Sequence, residues 1–121
     1  MKITETIQVH SSMNSLDWEG VYTGILPCAD CEGIKTRVKL SKDLTYLIET
    51  EYLGKSSEAQ QERGTFSWNR SGNTIILNIQ NKNATPSFYK VAENQLIQLD
   101  LKGNPITGDL SDKYTLKKKS R

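Results

Sequence analysis

The sequence predicts an all-β fold, a small antiparallel meander of about eight strands that closes into a barrel. Two observations carry this. From Trp18 onward, short runs rich in Val, Ile, Tyr, Thr and Leu alternate with polar residues at a period of two, the signature of strands with one buried face. Turn-forming clusters recur between the runs, and no window of about 11 residues carries a 3.6 period. Closure follows from the edges. An open sheet of this length would leave two unpaired edge strands as templates for aggregation, and a barrel removes them.

The runs are read in order. Val21, Thr23 and Ile25 share one face of the first, and Thr36, Val38 and Leu40 share one face of the second. Leu44, Tyr46, Ile48, Thr50 and Tyr52 align in the third, and Gly64, Phe66 and Trp68 in the fourth. Phe66 and Trp68 are expected in the core, with Ser67 and Asn69 at the surface. Ile75, Leu77 and Ile79 align in the fifth run, and Phe88 and Tyr89 centre the sixth. Ile97, Leu99 and Leu101 align in the seventh, and Tyr114 and Leu116 in the last. Turn chemistry separates the runs at 41–43, 70–73, 92–94 and 102–109. The polar stretch GKSSEAQQE, 54–62, reads as a long hairpin loop or one short helical turn.

A chain of 121 residues fits one domain. Residues 1–17 are polar without a persistent period and read as a flexible N-terminal arm, leaving 18–121 for the barrel. With 16 basic and 14 acidic residues the net charge is +2, too balanced for a long-range field that would attract nucleic acid. The basic run LKKKSR reads as a solvated tail. No stretch approaches the ~18 apolar residues of a membrane helix. The first twenty residues also lack the apolar centre of an export signal.

Chemistry concentrates in LPCADCEGI, 26–34, which holds both cysteines, Cys28 and Cys31. A thioredoxin-like pair needs a helix after its first cysteine, and here a strand pattern follows. Structural zinc needs four ligands, and the chain offers two cysteines and a single histidine, His10, in the arm. Copper(I) is softer and tolerates fewer ligands, so two thiolates would suffice, with Met13 or His10 dispensable. A disulfide pinning the turn is equally compatible with the spacing. Pro27 fixes φ before the first cysteine, Asp30 suits an Asx-type turn, and Gly33 permits positive φ on exit. A disulfide in so small a ring would constrain little unfolded-chain entropy, which suits a switch better than a staple.

The stretch GVYTGILPCADCEGIKTRVKL resembles the N-terminal domain of the NlpE family of outer-membrane lipoproteins. The later segments DLTYLIETEY, GTFSW, GNTIILNI, NQLIQLDLKGNPI and the closing YTL fit in the same order, so the resemblance spans about 18–118. It implies a lipocalin-like barrel facing the periplasm, held to the outer membrane only by a lipid whose cysteine and export signal lie outside this sequence. It also implies roles in copper homeostasis and envelope stress signalling, with a protein partner, and marks Cys28 and Cys31 as the metal or redox element. Roles that reside in the second, OB-like domain of some members are not carried over.

Two other functions compete. A barrel of this kind can hold a small apolar ligand, although Phe66, Trp68, Ile48 and Leu99 are expected to fill its interior. Catalysis is not expected. The lone His10 allows no Ser-His-Asp set, no phosphate loop is present, and carboxylates such as Asp17 and Asp100 have no recognisable partner in the sequence.

Overall fold

The computed structural model describes residues 17–55, 58–79 and 87–119. Eight strands run up and down in chain order: β1 (Gly20–Leu26), β2 (Gly33–Leu40), β3 (Thr45–Leu53), β4 (Gln60–Trp68), β5 (Thr74–Leu77), β6 (Phe88–Ala92), β7 (Gln95–Gln98) and β8 (Thr115–Lys118). They form one closed antiparallel barrel in that order, sealed where β8 pairs with β1. The described residues contain no α-helix, only a 3-10 turn at Ser111–Lys113. The segment 54–62 is shorter as a connection than expected, because β4 begins within it at Gln60, and its residues 56–57 lie outside the described residues. Most of the arm, with His10 and Met13, lies outside the described residues.

Alternation decides what faces inward. Thr36, Val38 and Leu40 of β2 are buried, as are Tyr46 and Ile48 of β3 and Ile75 and Leu77 of β5. Two strands differ from the expected phase. In β1 the core receives Tyr22 and Leu26, while the Val21, Thr23 and Ile25 face lies outside and Ile25 is 60% exposed. Both faces of β1 read as apolar, and packing selects the one with the large ring and with Gly24, whose missing Cβ admits Leu116. In β7 the core residue is Leu96, not Ile97. Leu99 is buried as expected, but from beyond the strand end, where its amide donates to Phe88 O at 3.0 Å, and Leu101 is exposed. Leu44 and Tyr52, at the two ends of the third run, are also exposed.

The barrel has two unlike ends. One gathers the start of β1, the end of β8 and the tight turns β2–β3, β4–β5 and β6–β7. Trp18, Phe66 and Trp68 plug it. Trp18 meets Phe66 at 5.8 Å and Trp68 at 5.6 Å, both edge-to-face. Such pairs add about 0.5–1.5 kcal/mol each beyond area burial. Phe66 is fully enclosed, Ser67 is exposed as expected, and Trp68 packs half-buried against the core. Asn69 is half-buried instead of at the surface, since its Oδ1 accepts from the amides of Asn73 and Thr74 and shapes the 70–73 turn. The indole N–H of Trp68 is buried without a hydrogen-bond partner among the described residues. That penalty is about 1–3 kcal/mol, and the apolar contact of the half-buried ring with the core and with Trp18 acts against it. The chain entering β1 is fastened here: Tyr22 Oη donates to Trp18 O at 2.7 Å, and Lys118 Nζ donates to Asp17 O. The opposite end, the mouth, carries the loops β1–β2, β3–β4, β5–β6 and β7–β8.

Two predictions follow from this packing. Phe66→Ala, which removes the centre of the plug, is expected to cost about 3–5 kcal/mol in a urea titration. A loss well under 1 kcal/mol would show that the ring is not enclosed. The second concerns alkaline pH. Burial, aided by the charge of Asp17, pushes the Tyr22 hydroxyl up to about 12. Burial, aided by Glu62, does the same for Tyr46, and burial raises Tyr89 further. A raised folded pKa means stability is complete below the unfolded value of about 10 and is lost as pH rises through the folded values. Stability should therefore hold to about pH 10 and fall steeply by pH 12, with the phenolate absorbance at 295 nm lagging that of the unfolded chain.

Candidate functional site: a disulfide loop at the barrel mouth

The link from β1 to β2 turns back within residues 27–32, and both cysteines lie in it. Cys28 and Cys31 are joined in a disulfide with their Cα atoms 5.4 Å apart. Each is half-buried, with Ala29, Asp30 and Glu32 exposed around them. Asp30 Oδ1 lies 3.6 Å from Cys28 Sγ, and Gly33 O lies 3.4 Å from Cys31 Sγ. Oxidised sulfur carries no proton, so these are contacts and become hydrogen bonds only for the reduced thiols.

Three residues named from the sequence, Pro27, Asp30 and Gly33, lie in or beside this loop. Pro27 leads out of β1 and borders the barrel cavity. Gly33 has φ of +154° and is buried, and a Cβ there would lie 2.6 Å from Ile25 Cγ2. Asp30 does more than turn the chain. Its Oδ2 accepts from Lys55 Nζ at 3.0 Å, an ion pair that ties the disulfide loop to the β3–β4 loop. Glu32 N donates to Leu53 O at 3.2 Å. The Glu32 carboxylate also occupies the space where Gly54, at φ +80°, would carry a Cβ. The two loops are therefore interlocked.

Cys28, Asp30 and Cys31 form a possible metal-holding group, with candidate ligand atoms within 4.8 Å of one another. As a disulfide the sulfurs are not ligands. Reduced, they offer two soft thiolates beside one hard oxygen, a set that suits copper(I) far better than tetrahedral zinc. The carboxylates that looked solitary have structural partners. Asp17 pairs with Lys118 at 3.7 Å. Asp100 Oδ1 accepts from the amides of Lys102 and Asn104, both at 2.9 Å, and these bonds hold its carboxyl below the usual range.

Inside the mouth lies a cavity of about 250 Å³. The expectation of a filled interior therefore holds for the plugged half only. Sequence reading passed over Glu62, which shares the inward face of β4 with Phe66 and Trp68 and borders this cavity. The signal was present in the alternation, extended one step past Gly64.

Fold and site together define a small closed meander barrel carrying a disulfide-closed C-x-x-C loop at its open end. The family model for the NlpE N-terminal domain matches residues 22–109. The chain belongs to that family. It is 36% identical over 95 residues to lipoprotein NlpE of Escherichia coli K12, covering 78% of this chain and 39% of that protein. It spans well under half the length of this curated relative. A crystal structure of a Shewanella oneidensis protein assigned as a lipoprotein superposes with a TM-score of 0.81 at 45% identity, covering 92% of this chain and 97% of the other. The crystal structure of the Cpx pathway activator NlpE from E. coli gives 0.60 at 35% identity, covering 74% and 46%.

The Asp30–Lys55 pair yields a prediction. The hydrogen bond from Lys55, then its charge, holds the Asp30 carboxyl below its ordinary value. A lowered folded pKa means that the contact contributes above the unfolded pKa and is lost as pH falls through the folded one. An NMR titration should find the Asp30 carboxyl midpoint below the usual Asp value, and Lys55→Met should restore it. An unchanged midpoint in the variant would remove Lys55 as the cause.

Proposed function

We propose that this chain is the sensing barrel of an NlpE-type lipoprotein of the cell envelope. It faces the periplasm from the outer membrane and serves copper homeostasis and envelope stress signalling, with Cys28 and Cys31 as its redox and metal element. It works by contact with a protein partner and not by catalysis. Residues 18–121 form the functional barrel, and the arm before it is the tether. Family membership and the Cpx pathway activator among its relatives support the signalling role.

The observation that carries the redox role is where the disulfide sits. It bridges positions three apart at the mouth, outside every strand, and neither cysteine takes part in a strand pairing. Closing so short a loop is worth about 2 kcal/mol or less on the chain-entropy scaling. A bond that stabilises little and lies half-buried in a loop outside the strands can change state without unfolding the barrel. Reduction by a partner dithiol breaks the S–S bond, delivers two electrons and two protons, and leaves the partner as a disulfide. The reduced Cys28 and Cys31 would hold copper(I) as thiolates after losing their two protons to solvent, with the Asp30 carboxylate within 4.8 Å of both sulfurs.

The test compares oxidised, reduced and Cys28→Ser, Cys31→Ser proteins. The reduced form is expected to bind copper(I) in a chelator competition, and the double variant to lose that binding, while His10→Ala changes it little. Amide spectra of the two redox forms should differ around 26–34 and coincide on the strands from 74 onward. Equal copper affinity in the double variant would remove the cysteines from the site. A stability change above about 3 kcal/mol on reduction would make the disulfide a staple and sink the sensing role.

A further inference from the structure

The disulfide chemistry leaves the mouth cavity unused. Its apolar wall is formed by Leu26, Ile34, Ile48 and the ring of Tyr89. Thr36, Thr50 and Gln98 add uncharged hydrogen-bonding groups. Among the described residues that line it one is charged, Glu62, and none is basic. Glu62 points into the barrel where the period of β4 would place an apolar residue, opposite Ile48 in register. An inward carboxylate costs desolvation and adds nothing to a core. Among the described residues the Tyr46 hydroxyl donates to its Oε2 at 3.4 Å, a long bond from a neutral donor. Lys55, on the loop above, is already engaged by Asp30.

We propose that this cavity binds a small amphiphilic cation. A compact apolar group lies against Ile34, Ile48 and Tyr89, and an ammonium head meets the Glu62 carboxylate at the rim. The volume of about 250 Å³ falls below the range of about 300–1,000 Å³ that holds drug-sized ligands, which limits the occupant to a small one. An anionic amphiphile is disfavoured because it would set like charge against Glu62 with no basic residue among the described lining to answer it. This goes beyond the redox role and does not require it.

The experiment uses the oxidised full chain and three probes with one tail and three heads: n-hexylammonium, 1-hexanol and hexanoate, at fixed ionic strength. Affinities are read from NMR shifts of the Ile34, Ile48 and Thr36 methyl groups. Hexylammonium is expected to bind about tenfold or more tighter than hexanoate, with hexanol between them. Glu62→Gln should bring hexylammonium down to the level of hexanol. Thr50→Trp, which fills the mouth from a half-exposed position, should weaken all three probes, with an unchanged amide spectrum certifying the fold. Hexanoate binding as tightly as hexylammonium, an unaltered ammonium preference in Glu62→Gln, or no shift at the lining methyls with any probe would each overturn the proposal.

Discussion

Everything in this barrel depends on the pairing of its last strand with its first. β8 meets β1 through Tyr22 with Lys118 and Thr23 with Lys117, and without that short seam the sheet would have two edges. Side chains reinforce it. Leu116 packs into the space that Gly24 leaves, Lys118 reaches over Gly20 to Asp17, and Tyr22 anchors the incoming chain at Trp18. The enclosed interior exists because these contacts hold the seam shut, and Tyr22 and Leu116, both fully buried, are part of seam and core alike.

Closure lets the two ends of the barrel differ. At the plugged end the inward positions are Tyr22, Leu40, Phe66 and Trp68, the first three buried and Trp68 half-buried against them. Toward the mouth the same faces turn polar: Phe66 gives way to Gly64 and Glu62 along β4, and Ile48 to Thr50 along β3. The disulfide loop sits at the polar end. The loop thus lies apart from the aromatic plug, and the two occupy opposite ends of the same strands.

Much of this was legible in the sequence where one face of a strand is plainly apolar and the other plainly polar. Thr36, Val38 and Leu40 are such a case, and so are Ile75 and Leu77. It was not legible in β1, where Val21 and Ile25 compete with Tyr22 and Leu26, and only the fit of Gly24 against Leu116 decides. In β7 the alternation is broken between Gln98 and Leu99, so a pattern read backward from Leu99 selects Ile97 over Leu96. At the site, spacing alone allowed a disulfide or a metal pair. The lock between Asp30 and Lys55 joins positions 25 apart and depends on how β2 and β3 are registered. Phe66, Trp68 and Gly64 announced the inward face of β4, but a carboxylate on that face reads as surface until a cavity is seen beside it.

The nearness of Gly20 and Lys118 has a mechanical consequence. Tension applied between the two ends of the barrel chain would not shear long parallel rows of hydrogen bonds together. It would peel β8 from β1 at its open edge, loading one bond at a time, and the first to feel the force would be the tie between Lys118 and Asp17. A protein fastened by one end and pulled by the other would yield at the seam first. The disulfide loop, at the far end of β1, would be the last part of that strand to register the load.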